Sequence, residues 1–373
     1  MNARERVLSA IEHKMPDRVP LDINIRPEAL LLLKKYFRIE DEDKLLDRLG
    51  IDIRYVNMSP PKNFKLKQGL TYFSISKEYS EFWATLLDEW GICWEPVSTG
   101  EYWRITYHPL KYIELDNLIL PDIDAPGRFE KAYSRIKKYE GKYYIIGVNS
   151  SLFEQAWFLR GYETLIKDFY FNKSYANKLL DKILSWKIEQ GKRLAELGVD
   201  AIQIGDDLST QFDLMLSPKI LEEFLFPRYR KWINELKKRH VQIFFHTDGA
   251  IEKIIPYFIN MNVDVIDPLQ PECNNLRRVK ELYGEKLTFH GCISVQRTLA
   301  FGTIKDVENE VRSVINIMSK NGGYILSPAH KIDAHMPIEN ILSLYDCAKN
   351  MENLYSSLSL NSSHCKSSNQ IFF

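Results

Sequence analysis

The chain holds little cysteine: five residues in 373, namely Cys93, Cys273, Cys292, Cys347 and Cys365. They are odd in number, widely spaced and never in a C-x-x-C pair, which speaks against a disulfide framework and for a reducing compartment. Long hydrophobic runs are missing too. The longest aliphatic run is Leu30 to Leu33, far short of the ~20 residues that a membrane span needs. The opening MNARERVLSAIEHKMPDRVP scatters charges and lacks an apolar core, so a cytoplasmic location is the expectation. No excess charge of either sign exists: 50 basic residues face 50 acidic ones, for a formal net charge of zero. That balance excludes the broad basic field of a nucleic-acid binder and favours a small neutral or mixed-charge ligand. Neither G-x-G-x-x-G nor G-x-x-x-x-G-K-[ST] follows any apolar run, so nucleotide sites of those types are unsupported. No short fixed-period repeat is present either.

What is present is an ordinary globular composition, 45% hydrophobic and 27% charged, enough for a sizeable core. Residues 4–15 place Val7, Leu8 and Ile11 at helical spacing before Pro16, which predicts a leading helix. From Tyr144 onward an apolar run, a turn and a helix alternate, the rhythm of parallel βα units. Strands are expected at YYIIGVN, DAIQIGD, VQIFFHT, VDVIDP, KLTFHG and GYILSP, with helices at 174–197, 218–238, 251–261, 275–283 and 304–319. Adding VPLDINI and IDIRYVN upstream makes eight strands, the number that closes a barrel. The expected fold is therefore α/β: a single (β/α)8 TIM-type barrel over residues 1–350 with an N-terminal helix. Aromatic-rich pieces within 66–120 (TYFSISKEY, GICWEP, YWRITYHPL) break the rhythm and predict a hairpin-rich insertion that lids the mouth. The Ser/Asn-rich 351–373 reads as a disordered tail.

Barrels of this kind react at the C-terminal ends of their strands. VPLDINI supplies Asp22 and Asn24, with Arg26 beyond it. Later runs end in Asn149, in Asp206 and Asp207, in His246 and Asp248, in Asp267, in His290 and Cys292, and just before His330. His246, Asp248 and His330 offer imidazole and carboxylate donors suited to zinc, and three protein ligands leave one position for substrate. Asp248 also reads as a cap for a helix beginning near Ile251. Neighbours on a strand point oppositely, so of the adjacent carboxylates Asp207 is expected to move protons, together with His290. Asn149, Asp206, Gln211 and Cys292 are expected to position substrate.

Taken in order, RERVLSAIEHKMPDRVPLD, DEWGICW, FEQAWFLRGYETL, IGDDLSTQFDLMLSPKILEEFLFPRY, FFHTDGAI, VDVIDPLQP, YGEKLTFHGCISVQRTLAFGT and GGYILSPAHKI resemble the uroporphyrinogen decarboxylase superfamily, across residues 4–350 or thereabouts. They look most similar to its corrinoid-linked methyltransferase and decarboxylase-like branch. The resemblance implies a single (β/α)8 barrel. In uroporphyrinogen decarboxylases an early R-Q-A-G-R-type motif supplies arginines for the porphyrin carboxylates, whereas this chain reads DINIRPEALLLLKKY and offers Arg26. In the superfamily's zinc methyltransferases the ligands come from H-x-C and a later Cys. The corresponding positions here are His246, Asp248 and His330. Exchanging two thiolates for a carboxylate and an imidazole leaves a more Lewis-acidic site, better suited to oxygen than to thiol.

The resemblance and the residues together predict a zinc-assisted methyltransferase moving a methyl group between a small substrate and a corrinoid (cobalamin) protein. A carboxy-lyase acting on a small carboxylic acid is the alternative, and a non-catalytic barrel binding protein the third reading. The candidate partners are a small-molecule substrate, a corrinoid protein and a second copy of the chain in a homodimer, with no nucleic acid and no membrane.

Overall fold

The computed structural model describes residues 1–62, 64, 86–97 and 102–351. Among these, a curled parallel sheet runs in the spatial order β1-β5-β6-β7-β8-β9-β10, and a small antiparallel sheet in the order β2-β3-β4. The strands are β1 (Ile53–Asn57), β2 (Leu86–Leu87), β3 (Cys93–Val97), β4 (Tyr102–Tyr107), β5 (Tyr144–Ser150), β6 (Ala201–Gly205), β7 (Gln242–His246), β8 (Val265–Leu269), β9 (Thr288–Ile293) and β10 (Tyr324–Pro328). The seven that make the large sheet are the seven apolar runs read from IDIRYVN to GYILSP. The eighth run, VPLDINI, is not a regular strand. It touches the sheet through two isolated parallel bridges, Leu21 to Leu326 and Ile25 to Ile332. Pro20 has no amide hydrogen for a ladder and only accepts, from Leu326 N at 2.9 Å. On the other side Asp52 N donates to Leu21 O at 2.8 Å, so this segment fills the gap between β10 and β1. The architecture is the TIM-type (β/α)8 fold.

Strand parity divides the interior from the outer core. Ile53, Tyr144, Ile146, Ala201, Phe244, Val265 and Ile325 form one buried cluster with Val7 and Ile11 of the leading helix, Ala3–Ile11, which therefore plugs one end of the barrel. The alternate residues, among them Ile145, Ile202, Phe245, Ile266 and Phe289, belong to the second and larger cluster shared with the surrounding helices. The leading helix ends before the expected Pro16, because His13 takes a positive φ of 55°. The helix expected over 251–261 is regular only at Ile255–Asn260, since Pro256 is tolerated in a first turn but not further in.

Within the expected insertion, TYFSISKEY lies outside the described residues, while GICWEP and YWRITYHPL form the β3–β4 hairpin. The hairpin sits on the helices that follow β5. Trp94 meets Phe158 edge-to-face at 5.2 Å, and Trp90 meets Trp186 at 4.9 Å. These contacts hold it over the C-terminal mouth. The helix Ile338–Asn350 is the last element; of the tail expected at 351–373, Met351 is buried as the cap of that helix, and 352–373 lie outside the described residues. Among the described residues no helix is long and apolar enough to cross a membrane.

Candidate active site

Two residues beyond the apolar interior layer, the same parity turns polar side chains inward: Tyr55 after Ile53, Gln203 after Ala201, His246 after Phe244, Asp267 after Val265. They meet in one chain of contacts. Tyr55 Oη donates to Asp22 Oδ2 at 2.6 Å, and His290 Nε2 lies 2.9 Å from the same oxygen. The other nitrogen of His290, Nδ1, is 2.7 Å from Asp267 Oδ1. Asp267 Oδ2 accepts from Gln203 Nε2 and faces His246 Nδ1 at 3.7 Å. His246 Nε2 faces Asp207 Oδ1, also at 3.7 Å, and that oxygen accepts from the Asp248 amide at 3.2 Å. Asp248 Oδ2 finally reaches His330 Nε2 at 3.3 Å.

One atom each from Asp207, His246 and Asp248 lies within 4.8 Å of the others, close enough to share an ion. Of the expected trio, His246 and Asp248 thus stand together, with His330 one step outside beside Asp248. Asp207, expected to move protons, stands inside the group instead. Asp248 caps no helix, because the next one opens at Ile254. Its Oδ1 is buried without a hydrogen-bond partner among the described residues. A buried unpaired carboxylate oxygen beside an imidazole and a second carboxylate is what a divalent cation would satisfy, so the donor set fits zinc or a similar ion.

The carboxylates around the cluster attract positive charge strongly, and without an ion they keep a proton on His246 that a metal would have to displace. Burial pushes the His246 imidazole down, but Asp267 and the charges of Asp248 and Asp207 outweigh it and hold it at about 10. Burial raises Asp248 to about 7 against the pull of His246. Burial and the positive charges of His246, Lys331 and Arg26 lower His330 to about 4, leaving its imidazole neutral and able to ligate. Asp267 stays ionised: although burial opposes it, His290 and His246 hold it well below the usual carboxylate range. His290 itself is only 2% exposed and off the cavity wall, so it orients Asp267 and Asp22 rather than touching a ligand.

A cavity of about 520 Å³ opens above this layer, with Asp22, Tyr55, Gln203, Asp207, His246 and His330 on its wall and Trp90 and Trp94 of the hairpin region across from them. That volume suits a small molecule. Four residues expected to position substrate are not on this wall. Asn149 shares the outward parity of Ile145 and faces the helices, where Nδ2 donates to Lys187 O at 2.9 Å. Cys292 follows Gly291 at a positive φ of 71°, so it loses the inward parity of His290 and is fully buried, its thiol pushed up by that burial. Gln211 is exposed in the turn after β6.

Asp206 is fully buried, accepting from Leu152 N (3.0 Å), Glu154 N (2.7 Å) and Tyr229 Oη (2.7 Å). It is a structural cap for the helix Phe153–Arg160. Asp206→Ala strands three donors, so a stability loss of about 3 kcal/mol is expected, with Asp206→Asn milder and bound metal unchanged. An unchanged melting midpoint in Asp206→Ala would overturn the capping role.

Two wall residues were not anticipated. Glu154, in the first turn after β5, is raised to about 8 by burial and by Asp207 and Asp206. Lys187 lies in the middle of the helix Lys173–Glu196, in register with its apolar stripe Leu180, Ile183, Leu184 and Leu194, all buried. A lysine on the core-facing stripe of an amphipathic helix is a readable anomaly. Strand-end reasoning passes over it because it sits on no strand.

A family model described as uroporphyrinogen decarboxylase (URO-D) matches residues 97–351. The chain is 22% identical over 239 residues to the uroporphyrinogen decarboxylase of Geobacter metallireducens, covering 61% of this chain and 66% of that one. It is 24% identical over 242 residues to that of Trichlorobacter lovleyi, covering 63% and 68%. The chain thus spans about two thirds of the length of the curated relatives it matches. Among solved structures, a methyltransferase from Methanosarcina mazei superposes with a TM-score of 0.70 at 18% identity, covering 94% of this chain and 99% of that one. At that identity the likeness is one of fold. With more than half of its length matched by the family model, the chain belongs to the uroporphyrinogen decarboxylase (URO-D) family and is an enzyme of that superfamily.

Proposed function

We propose that this enzyme moves a methyl group between a small substrate and a corrinoid protein, assisted by one divalent ion, with zinc the first candidate. The observation that carries the reading is the Asp207, His246 and Asp248 cluster at the mouth, with an unpaired buried oxygen on Asp248. His330 stands in reserve as a fourth donor. When bound, the ion would supply Lewis acidity at the heteroatom that carries or receives the methyl group. The chain's own residues do the rest. Asp267, fixed by His290 and Gln203, orients His246 as a carboxylate orients a ligating imidazole. Glu154, near 8, is available both as an acid and as a base around neutral pH and takes the proton-handling role. Trp90 and Trp94 shield the cavity from water.

Porphyrinogen decarboxylation, the activity named for the curated relatives, fits the mouth poorly. A substrate with many carboxylates needs several fixed cations, yet of the cations near the mouth Arg26 is engaged with Asp333 at 3.3 Å and Arg54 with Asp47 at 2.6 Å, so these two arginines already hold carboxylates of the chain. The test is elemental analysis of the purified protein together with incubation with a methylated corrinoid protein and a panel of small oxygen acceptors (an alcohol, a phenol, a carboxylic acid), which take the methyl group as it leaves the corrinoid. About one divalent ion per chain and loss of the corrinoid methyl group are expected. A metal-free protein that leaves the methylcorrinoid intact would overturn the reading.

A further inference from the structure

Lys187 is 3% exposed, on the cavity wall, and its Nζ donates to Ser150 Oγ at 2.9 Å. Among the described residues no carboxylate comes within salt-bridge distance of it. Asp206 and Glu154 act on it only through space, and the Asp206 carboxylate is already consumed by Leu152 N, Glu154 N and Tyr229 Oη. The rings of Trp186 and Trp90 stand 5.5 and 6.0 Å from the ammonium, at the outer limit of a cation–π contact. A buried ammonium with one neutral hydrogen-bond acceptor is expensive to keep, because burial removes its hydration and no carboxylate among the described residues pairs with it directly. Such a group persists where something else supplies the anion.

We propose that Lys187 is a substrate-anchoring residue, that the anion it awaits is a carboxylate of the substrate, and that the tryptophan-rich wall beside it receives an apolar or aromatic body. The proposal rests on the reading of this cavity as the substrate site and names the class of substrate it takes: a small, apolar or aromatic carboxylic acid. The carboxylate accepts from Lys187 Nζ, while the flat body packs against Trp90, Trp94 and Phe158, which line the same cavity as Asp207 and His246. Burial depresses Lys187 to about 8 despite the pull of Asp206 and Glu154, so at neutral pH the ammonium form still dominates.

The test is binding of benzoate and of its uncharged isostere benzamide to the full-length protein, measured by calorimetry before and after dialysis against a chelator. Benzoate is expected to bind saturably in both preparations, and benzamide at least tenfold more weakly. Lys187→Met should weaken benzoate at least tenfold without changing benzamide, and Lys187→Arg should restore part of the difference. Equal affinity for benzoate and benzamide, no saturable benzoate binding, or unchanged benzoate binding in Lys187→Met would each overturn the proposal. If Lys187→Met does not fold, the benzoate–benzamide difference in the wild type and a benzoate-bound crystal structure decide. Benzoate seated away from Lys187 Nζ would be decisive against it. Metal content and methyl transfer are measured separately, so a protein that binds benzoate through Lys187 but carries no metal fails the functional reading and keeps this one.

Discussion

On the proposed metal-assisted reading, His246→Ala is expected to purify without a divalent ion and to lose methyl transfer by far more than its loss of stability explains. His246 is the residue that the two carboxylates of the cluster share: its Nε2 faces Asp207, and Asp248 lies within the same 4.8 Å group. Taking it away leaves the two carboxylates with His330 one step outside them, 3.3 Å from Asp248, and so removes the nitrogen donor that stands within the cluster itself. The fold has less at stake. Asp267 keeps Gln203 and His290 when His246 is gone, so the cost is that of one buried polar contact, about 1 to 3 kcal/mol. Metal occupancy, turnover and melting midpoint should be measured on one preparation. His290→Ala provides the contrast, since His290 acts on His246 only through Asp267. There the metal affinity should fall by roughly 10 to 100-fold, as is usual for a group that supports a ligand. A His246→Ala protein that retains its metal and its rate would end the assignment of the cluster.

The sequence is a good guide to this molecule where side-chain alternation is unbroken and a poor one where it is broken. IIGVN, AIQIG, IFFH and LTFH alternate cleanly between the two cores, and from that alternation Gln203, His246, Asp267 and His290 can be turned inward with pencil and paper. Two of the misplaced residues are legible by the same count: Asn149 has the parity of Ile145, and Asp206 that of Ile202 and Ile204, so both face the helices rather than the cavity. Cys292 is the real break, since it shares the parity of His290 but follows Gly291 at a φ of 100° and itself takes a φ of 71°. The glycine of the H-G-C turn marks that break in the sequence. The missing regularity of VPLDINI has a similar origin, in Pro20. Glu154 and Lys187 belong to a different class. They reach the cavity from helices, and only tertiary packing shows which turn of a helix overlooks the barrel mouth.

The closing segment 18–22 carries Asp22 into the site, and what holds it there is Asp52. This carboxylate, 2% exposed, receives Arg6 Nη1 at 2.6 Å, Arg18 Nη1 at 2.8 Å and Leu21 N at 2.8 Å, tying the plugging helix, the irregular eighth segment and the start of β1 to one point. Asp52→Ala is therefore expected to cost about 3 to 5 kcal/mol, the usual loss when one partner of a buried ionic group is removed and the other charge is left behind. The stranded charge is mainly that of Arg18, whose remaining acceptors are the carbonyls of Val19 and Gly50; Arg6 keeps Asp17 at 2.6 Å. For a chain of this size the thermal midpoint should fall by about 4 to 6 °C. Two further variants separate charge from shape. Asp52→Asn retains an acceptor for Leu21 N and should lose less. Removing both partners, in Asp52→Leu combined with Arg18→Met, should recover much of the loss, because an apolar pair of similar volume leaves no uncompensated charge. Were the double variant as unstable as the sum of its single changes, packing rather than ion pairing would be holding the barrel closed. Asp22, with Tyr55 and His290 beneath the cavity, would then owe its position to the core and not to Asp52.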